Sequence, residues 1–361
     1  MGRTLIIILN SGKIVKLHLK LLSDRDRYTW DSMVKANPHS CFMQSWTWAD
    51  FKEIQGYKTW RYGLFCGQDS DLECTSENLI GGCIFYLYPQ LGGANILLAA
   101  GGVILSPEWA AMGMPLLLEA AEKLACEYSD SFNTSIIALR IEPLWESKPQ
   151  WLPADFVRSP ADLMPTDTLL IDLQLTPDQL LAQMKPKGRY NLRVSWRYGV
   201  TTEFRQDDAA IALFYDLFWE TVQRQEFFGE PFGFFINLCQ TLFGANMAEI
   251  GMASWQGEVL AAILVIYWGD RCIYLYGGRS DQHRHVMASY AIHWAAMQQA
   301  KARGCKIYDF YGFTSEPNHS YFRFSRFKQQ FGGAIAKTIG AHDYVFYDRL
   351  ADTIIGLLEK L

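Results

Sequence analysis

The stretch KIYDFYGFTSEPNHSYFRFSRFKQQFGG, residues 306–333, contains the patterns of a strand, a turn and a helix in that order. Its first five residues are rich in β-formers and predict a short strand. Gly312 and residues 315–318 predict the turn. A short helix should follow and end at Gly332 and Gly333, because glycine commonly closes helices. A strand that leads into a helix favours a mixed α/β fold for this part of the chain.

Lys328 is the residue of this stretch that could carry chemistry. On the predicted helix, Phe324, Phe327 and Phe331 share one apolar face, and Lys328 lies at its margin, about 40° from Phe324. A lysine beside an aromatic face can be partly desolvated, which makes its ammonium group chemically useful. The alternative is that Lys328 snorkels to water from the edge of a core helix. Spacing alone leaves both interpretations open.

Length and composition limit the class of protein. A chain of 361 residues, half of them apolar, is expected to form two domains. The net charge of −5 excludes a protein coated in positive charge, so contact with nucleic acid would require a local basic patch. The eight cysteines show no CxxC pair and no metal-ligand spacing. They predict free thiols in a reducing, cytoplasmic compartment, and no metal site.

The same order of predicted elements occurs twice along the chain. Each half contains two strands, a Gly-Gly pair at 101–102 or 277–278, a long helix, and a closing strand at 135–141 or 306–310. Such a repeat predicts two copies of one unit. Mixed strands with helices on the sheet faces define an α/β (α+β) fold.

The boundary between the two predicted domains lies in residues 143–165, which carry five prolines and little periodicity. The predicted domains are therefore 1–160 and 161–333. The last segment, 334–361, is predicted to pack back on the first domain. That prediction depends on four apolar residues near its end: Ile354, Ile355, Leu357 and Leu358.

A cluster of cations stands out in the predicted helical region 176–198. Five cations fall within thirteen residues with no acid between them: Lys185, Lys187, Arg189, Arg193 and Arg197. Like charges four residues apart on a helix repel by about 0.2–0.5 kcal/mol per pair. A phosphate ligand would offset that repulsion. The alternative is a solvated face that pairs with acids elsewhere, such as Asp207 and Asp208.

Two more side chains are candidates for ligand contact. Arg224 lies among aromatic residues near the end of a predicted helix, where it could clamp a carboxylate or phosphate, or cap the helix by its charge. Tyr276 is predicted at the end of a strand that stops at Gly277, a place where α/β proteins bind ligands. A core tyrosine with a satisfied hydroxyl is the alternative for Tyr276.

Several common signatures are missing from the sequence, namely the GxSxG elbow, the Walker loop, HExxH and GxGxxG. Their absence disfavours hydrolases, nucleotidases and coenzyme A enzymes, and no cofactor is expected. The longest uncharged run, between Glu77 and Glu108, contains Pro89 and several glycines. Buried strands and turns are expected there rather than a membrane span.

Five ordered blocks of the chain resemble the FemABX family of aminoacyl-tRNA-dependent, non-ribosomal peptidyltransferases. The blocks are FMQSWTWADFK (42–52), IALRIEP (137–143), LLIDLQLTPDQLLAQMKPKGRYNLRVSWRYGV (169–200), YLYGGRS (274–280), and YDFYGF (308–313) with RFKQQFGG (326–333). The resemblance implies two acyl-N-transferase (GNAT-like) domains packed together. No heptad insert is visible, so the coiled-coil arm of many members is not expected.

The resemblance also implies roles for particular residues. Phe327 and Lys328 match the pair at the family's reaction centre. Lys52 matches a lysine that contacts the phosphates of the precursor, and Arg224 and Tyr276 match residues that contact the same ligand. For the RYN block we hypothesise tRNA contact, with four candidates: Lys185, Lys187, Arg189 and Arg193. The chain departs from the family at His319-Ser320-Tyr321, where a His-Trp-Gly-like segment is frequent.

The implied reaction transfers an amino acid from aminoacyl-tRNA to an amine of a peptidoglycan stem peptide. The acceptor would be UDP-MurNAc-pentapeptide or lipid II, and the enzyme would be cytoplasmic, with peripheral contact at the inner face of the membrane left open. Two alternatives remain: a GNAT-like protein of envelope or polysaccharide assembly that acts without tRNA, and an acyl-CoA N-acyltransferase. The sequence leaves the amino acid, the acceptor residue and the oligomeric state undetermined.

Overall fold

The computed structural model describes residues 3–8, 14–39, 41–67, 74–90, 93–132, 135–319 and 322–347. In these residues the strands, in chain order, are β1 Arg3–Ile8, β2 Ile14–Leu21, β3 Thr59–Gly67, β4 Leu79–Pro89, β5 Asn95–Ala100, β6 Ile104–Leu105, β7 Ile136–Glu142, β8 Val157–Arg158, β9 Asp167–Asp172, β10 Thr201–Arg205, β11 Ala248–Trp255, β12 Glu258–Trp268, β13 Arg271–Arg279, β14 Ile307–Asp309, β15 Ala334–Lys337 and β16 His342–Val345. The helices are α1 Arg27–Ala36, α2 Trp46–Ile54, α3 Pro107–Phe132, α4 Pro177–Gln183, α5 Pro186–Arg197, α6 Asp208–Gln225, α7 Phe232–Gly244, α8 Ala288–Ala302 and α9 Phe322–Lys328.

The chain divides into two compact units, and the first combines residues 1–164 with the segment that begins at Thr338. Its sheet has the order β1-β2-β3-β4-β5-β7-β16-β8, with β6 beside β4. Arg140 of β7 donates to both carboxylate oxygens of Asp343 in β16, at 2.7 and 2.8 Å. This ion pair fixes the returning strand to the first unit. The four apolar residues at 354–358 lie outside the described residues.

The second unit spans Pro165–Lys337. Its seven-stranded sheet has the order β10-β11-β12-β13-β14-β9-β15. All neighbours are antiparallel except β13 and β14, which are parallel and joined through α8. The first unit has the same arrangement: β5 and β7 form its parallel pair, and α3 connects them. This shared arrangement is the repeat that the sequence predicts.

The core of the second unit lies between the sheet and the helices α5 and α8. Leu192 of α5, Val265 of β12 and Ile292 of α8 are completely buried there. Each such side chain contributes roughly 1.5–3 kcal/mol by leaving water. Burial on this scale fixes the helices on the sheet and therefore positions the strand ends and loops near them.

The predicted helical region 176–198 is two helices rather than one. Thr176 begins α4 with a capping box to Gln179. Pro186 then disfavours helical geometry at Lys185, which is extended at φ −61° and ψ 151°. Arg189 connects the two helices, because its guanidinium donates to the carbonyls of Ala182, at 2.9 Å, and Met184.

Candidate active site

The turn that follows β14 has an unusual backbone. Tyr311 and Gly312 are both left-handed, at φ 43° and 78°. Tyrosine rarely adopts this conformation, and such strain is found where the surrounding structure holds it for function. Asp309 stabilises the turn by accepting from the Tyr311 amide at 2.8 Å and from the Thr168 hydroxyl. Both bonds use the same oxygen, and Arg271 lies 3.9 Å from the other.

Lys328 binds this turn directly. Its Nζ donates to the carbonyl oxygens of Tyr311 and Gly312, at 2.8 and 2.6 Å. Lys328 is only 7% exposed, so the snorkelling interpretation is wrong. Burial lowers the pKa of Lys328 to about 7, while the charge of Asp309 opposes that change.

The buried side of α9 differs from the one predicted. Ser325 and Lys328 are its buried residues, whereas Phe324 and Phe327 line a cavity. The physical reason is the turn at 311–314: its Phe313 amide donates to Asp167 of β9, but the carbonyls of Tyr311 and Gly312 take their donor from a side chain of α9. Ser325 accepts from the Thr314 amide at 2.9 Å, which complements the two bonds of Lys328.

The cavity has a volume of about 470 Å³ and belongs to the second unit. Its wall near α9 carries aromatic rings: Tyr274, Tyr290, His293 and Phe327. A second group of lining residues consists of arginines: Arg224, Arg279, Arg284 and Arg323. An apolar wall joined to a cationic one suits a ligand with an uncharged reacting part and a phosphate or carboxylate.

The arginines outnumber the acids around them. Asp281 lies within ion-pair distance of three: Arg224 at 3.2 Å, Arg279 at 3.1 Å and Arg284 at 3.0 Å. Burial, together with Arg224 and Arg284, lowers the pKa of the Arg279 guanidinium. The Nε of Arg224 is buried without a hydrogen-bond partner among the described residues. This crowding of positive charge favours an anionic ligand.

Tyr276 does not occupy the predicted position. Strand β13 continues through Gly277 and Gly278 to Arg279, so the prediction that it ends at Tyr276 is wrong. A bulge opposite Leu264 and Val265 interrupts the alternation of side chains. The ring of Tyr276 consequently packs against α6 and α7, with centroids 5.9 Å from Phe218 and 5.1 Å from Phe235.

The same bulge places Tyr274 on the other side of the strand. Its ring centroid lies 4.6 Å from that of His293 in α8, with the rings at 89°. Lys328 Nζ lies 5.6 Å from the Tyr274 centroid. Sequence reasoning missed this residue, because the YLYGG pattern gives no sign of the bulge. Lys328 itself is not part of the cavity lining, so Tyr274 and Phe327 connect it to the cavity.

His293 is a second residue that sequence reasoning missed. Its Nδ1 lies 2.8 Å from the hydroxyl oxygen of Tyr308, and its ring centroid lies 5.4 Å from that of Phe327. Burial and the charge of Lys328 lower the pKa of His293 to about 3. The imidazole is therefore neutral at physiological pH. It fixes the aromatic wall without adding charge beside the ammonium group.

The RYN block has a clear structural role. A side chain at Gly188 would meet the carbonyl oxygen of Gln330 at 2.3 Å, so glycine allows α5 to pack against the segment after α9. Lys185 Nζ donates to Gln329 at 3.1 Å. Asn191 is bonded to the hydroxyl of Tyr290, a residue of the cavity wall. The block thus supports both α9 and the cavity.

The cations of α5 differ in whether their charged groups are already engaged by other groups of the protein or are available to a ligand. Arg189 is engaged by backbone carbonyls, and Lys185 by Gln329. Lys187 and Arg193 are exposed and form no ion pair among the described residues. The predicted alternative partners are engaged elsewhere, because Asp207 pairs with Arg205 at 2.6 Å and Asp208 accepts from Gln240 at 3.1 Å.

Lys52, the candidate of the first unit, lies on α2 among aromatic rings. Its Nζ is 4.3 Å from the ring centroid of Tyr57 and 5.9 Å from those of Trp48 and Phe51. These cation–π contacts orient the ammonium group while leaving it partly exposed. The chain departs from the family pattern at residues 319–321. Of these, Ser320 and Tyr321 lie outside the described residues.

The sequence of the chain also matches a known protein family. The model of the FemAB family matches residues 157–258 and 255–351, more than half of the chain. The chain belongs to the FemAB family. The matched region includes the strained turn, Lys328 and the arginines of the cavity.

Individual relatives agree with the family. The lipid II:glycine glycyltransferases of Staphylococcus aureus (strain MRSA252) and Staphylococcus saprophyticus are each 20% identical, over 92% of this chain and 94% of the relative. The crystal structure of FemX covers 93% of this chain and 99% of its own, with a TM-score of 0.72 and 17% identity. The predicted α/β fold class and the predicted enzyme class, an aminoacyltransferase, are confirmed.

Among the described residues of the second unit, no helix is longer than the 18 residues of α6, so a long coiled-coil arm is not found there. In the same described part of the chain, no helix has the length and apolar character that crossing a bilayer requires.

Proposed function

We propose that this protein transfers an amino acid from an aminoacyl-tRNA to an amine of a peptidoglycan stem peptide, as a step in interpeptide bridge formation. The names of the relatives make glycine the first donor residue to test and lipid II the first acceptor. The observation that carries the proposal is the buried ammonium of Lys328, held behind the aromatic wall of a cationic cavity.

The chemistry requires little beyond positioning and charge. The acceptor amine attacks the ester carbon, the new C–N bond forms, the C–O bond to the ribose breaks, and the amine proton passes to the ribose oxygen. The carbonyl oxygen becomes negative in the transition state. A fixed cation in a poorly solvated site stabilises that charge over several ångströms, and one such interaction is worth roughly 3 kcal/mol. Lys328 supplies this field in its protonated form, which its pKa of about 7 keeps partly populated at physiological pH, and Phe327 shapes the wall in front of it.

The second unit carries candidate contacts to phosphates. The arginine-lined part of the cavity would hold a phosphate of the precursor, the ligand that the family resemblance gives Arg224, and Arg224 is more buried than Arg279 and Arg284. Beyond the cavity, Lys187 and Arg193 would contact the backbone of the tRNA. Tyr190 is 61% exposed on the same helix, and an exposed aromatic beside cations is a usual stacking partner for unpaired bases. Lys185 and Arg189 would act by positioning α5.

The first unit carries one candidate for acceptor contact. Lys52, oriented by Tyr57, would contact the phosphates that link the muramyl group to its carrier, in UDP-MurNAc-pentapeptide or in lipid II. Such phosphates are common to both acceptors, so the residue would not distinguish them. A lipid-linked acceptor would bring the enzyme to the inner face of the membrane by peripheral contact.

The test is a direct assay of product. The protein is incubated with glycyl-tRNA and lipid II, and the mass of the muropeptide is measured. The proposal predicts a gain of one or more glycyl residues that ribonuclease pretreatment abolishes. UDP-MurNAc-pentapeptide in place of lipid II identifies the acceptor. A product that forms after ribonuclease treatment, or only with an acyl-CoA, would refute the tRNA donor and favour the alternatives.

A further inference from the structure

The hydroxyl of Tyr274 is a polar group in the wall of the cavity that the mechanism above leaves unused. Tyr274 lines the cavity, and its hydroxyl forms no hydrogen bond among the described residues. The ring is held on two sides: by His293 at 4.6 Å, and by Phe310 at 6.3 Å. A ring held in this way fixes the position of the hydroxyl oxygen before a ligand arrives.

The place of the hydroxyl is defined by a glycine. A Cβ atom built on Gly277 would lie 2.4 Å from the Tyr274 hydroxyl oxygen. Gly277 also lines the cavity, so the missing side chain is what leaves room for the hydroxyl at the wall. Gly278 has a different role. A Cβ atom built on Gly278 would lie 2.3 Å from the backbone of Leu217, so glycine allows α6 to pack closely on the strand.

The surroundings give this hydroxyl a chemical role. Lys328 Nζ lies 5.6 Å from the centre of the same ring, and Phe327 lines the cavity beside it. Burial raises the pKa of Tyr274 to about 12. The phenol therefore keeps its proton at physiological pH and can only donate that proton to a hydrogen bond or accept one.

We propose that Tyr274 is a catalytic residue that donates a hydrogen bond to the carbonyl oxygen of the aminoacyl ester as that oxygen becomes negative. The inference rests on the proposed function and adds an oxyanion donor to it. The phenol keeps its proton throughout the step. The C–N bond forms, the C–O bond to the ribose breaks, and the proton of the attacking amine passes to the ribose oxygen.

Tyr274→Phe tests the proposal, and Tyr215→Phe in α6 is a matched control, because Tyr215 lies outside the cavity lining. Loss of one oxyanion donor lowers kcat by roughly a hundredfold or more. We expect this for Tyr274→Phe, with KM for both substrates within about twofold of the wild type. Tyr215→Phe should keep kcat within about twofold, because its ring packs against Phe232 of α7, with centroids 5.0 Å apart, and does not line the cavity.

A second variant and a melting curve separate catalysis from folding. Gly277→Ala should lower kcat as Tyr274→Phe does, because its methyl group displaces the hydroxyl. Equal melting temperatures of wild type and Tyr274→Phe are expected, since the hydroxyl has no partner in the described structure. The pH profile of Tyr274→Phe should keep the wild-type shape, because the phenol does not titrate between pH 5 and 9.

Each outcome decides one of the two hypotheses. If the wild type transfers the amino acid and Tyr274→Phe keeps its kcat, the role of Tyr274 is refuted and the proposed function stands. The role of Tyr274 is also refuted if the variant loses activity only because its KM is raised or because its melting temperature is lowered. If the wild type shows no transfer from aminoacyl-tRNA, the proposed function itself fails.

Discussion

The cations of the second unit fall into two environments, the buried ammonium of Lys328 and the exposed side chains of Lys187 and Arg193. Lys328 donates two hydrogen bonds to the carbonyls of the strained turn and is almost completely buried. Lys187 and Arg193 lie in water on one helix. A charge in water is screened and serves binding, whereas a desolvated charge acts strongly on a nearby transition state. The difference separates the residues that should change turnover from those that should change affinity.

Among these cations the largest expected effect belongs to Lys328. Lys328→Met should lower kcat by roughly a hundredfold, because the lost field is worth roughly 3 kcal/mol. The measurement is single-turnover transfer with saturating substrates. Circular dichroism and melting of the variant provide the control, since the lysine also holds the turn at Tyr311 and Gly312. Wild-type turnover in a folded variant would remove Lys328 from the mechanism.

Stability should show the same desolvated charge through its pH dependence. The pKa of Lys328 is about 7 in the folded protein and ~10.4 in the unfolded chain. Between these values the unfolded chain holds a proton that the folded protein lacks, so the contribution of this group makes the protein more stable as the pH rises from 7 to 10. The free energy of unfolding, measured in urea, should rise more between pH 7 and pH 9 in the wild type than in Lys328→Met. An equal change in both proteins would contradict this prediction.

Arg224 is intermediate between the two environments, and a smaller effect is expected. Arg224→Gln removes a charge-assisted contact to the ligand, worth about 1.5 kcal/mol. The variant should raise the KM for the substrate whose phosphate Arg224 contacts roughly tenfold, and it should leave kcat nearly unchanged. Arg205→Gln is the matched control, because Arg205 also lies in the second unit and pairs with Asp207 but does not line the cavity. Equal KM values for the two variants would place the ligand elsewhere.

The smallest effect should come from the exposed pair. Lys187→Gln with Arg193→Gln should weaken tRNA binding only a few-fold at low salt. The slope of log Kd against log salt concentration should fall by about 1.5, the value for two lost phosphate contacts. Arg189→Gln should behave differently: it breaks the connection between α4 and α5 and should lower the melting temperature. An unchanged salt slope in the double variant would exclude this face as a tRNA contact.

Much of the fold follows from local sequence patterns. The strand–turn–helix order of residues 306–333 and the repeated crossover have local causes, so the sequence predicts them. Lys328 and Phe327 are found by the family resemblance, and the aromatic spacing shows that Lys328 lies beside an apolar face.

The parts that the sequence could not predict depend on contacts between distant segments. The buried side of α9 is set by the carbonyls of Tyr311 and Gly312, which need a donor that spacing does not reveal. The bulge in β13 exchanges the roles of Tyr274 and Tyr276, because strand alternation alone would put both on one face. The cavity arginines are spread from residue 224 to 323 and meet only in the folded unit.

The most direct test of the buried charge is an NMR titration of Lys328. Protein labelled at lysine ¹³Cε is titrated between pH 5 and 11, and the signal is assigned by its absence from Lys328→Met. The buried, carbonyl-bound ammonium predicts a midpoint near 7. A midpoint near the ordinary lysine value of ~10.4 would contradict the desolvated cation on which the mechanism depends.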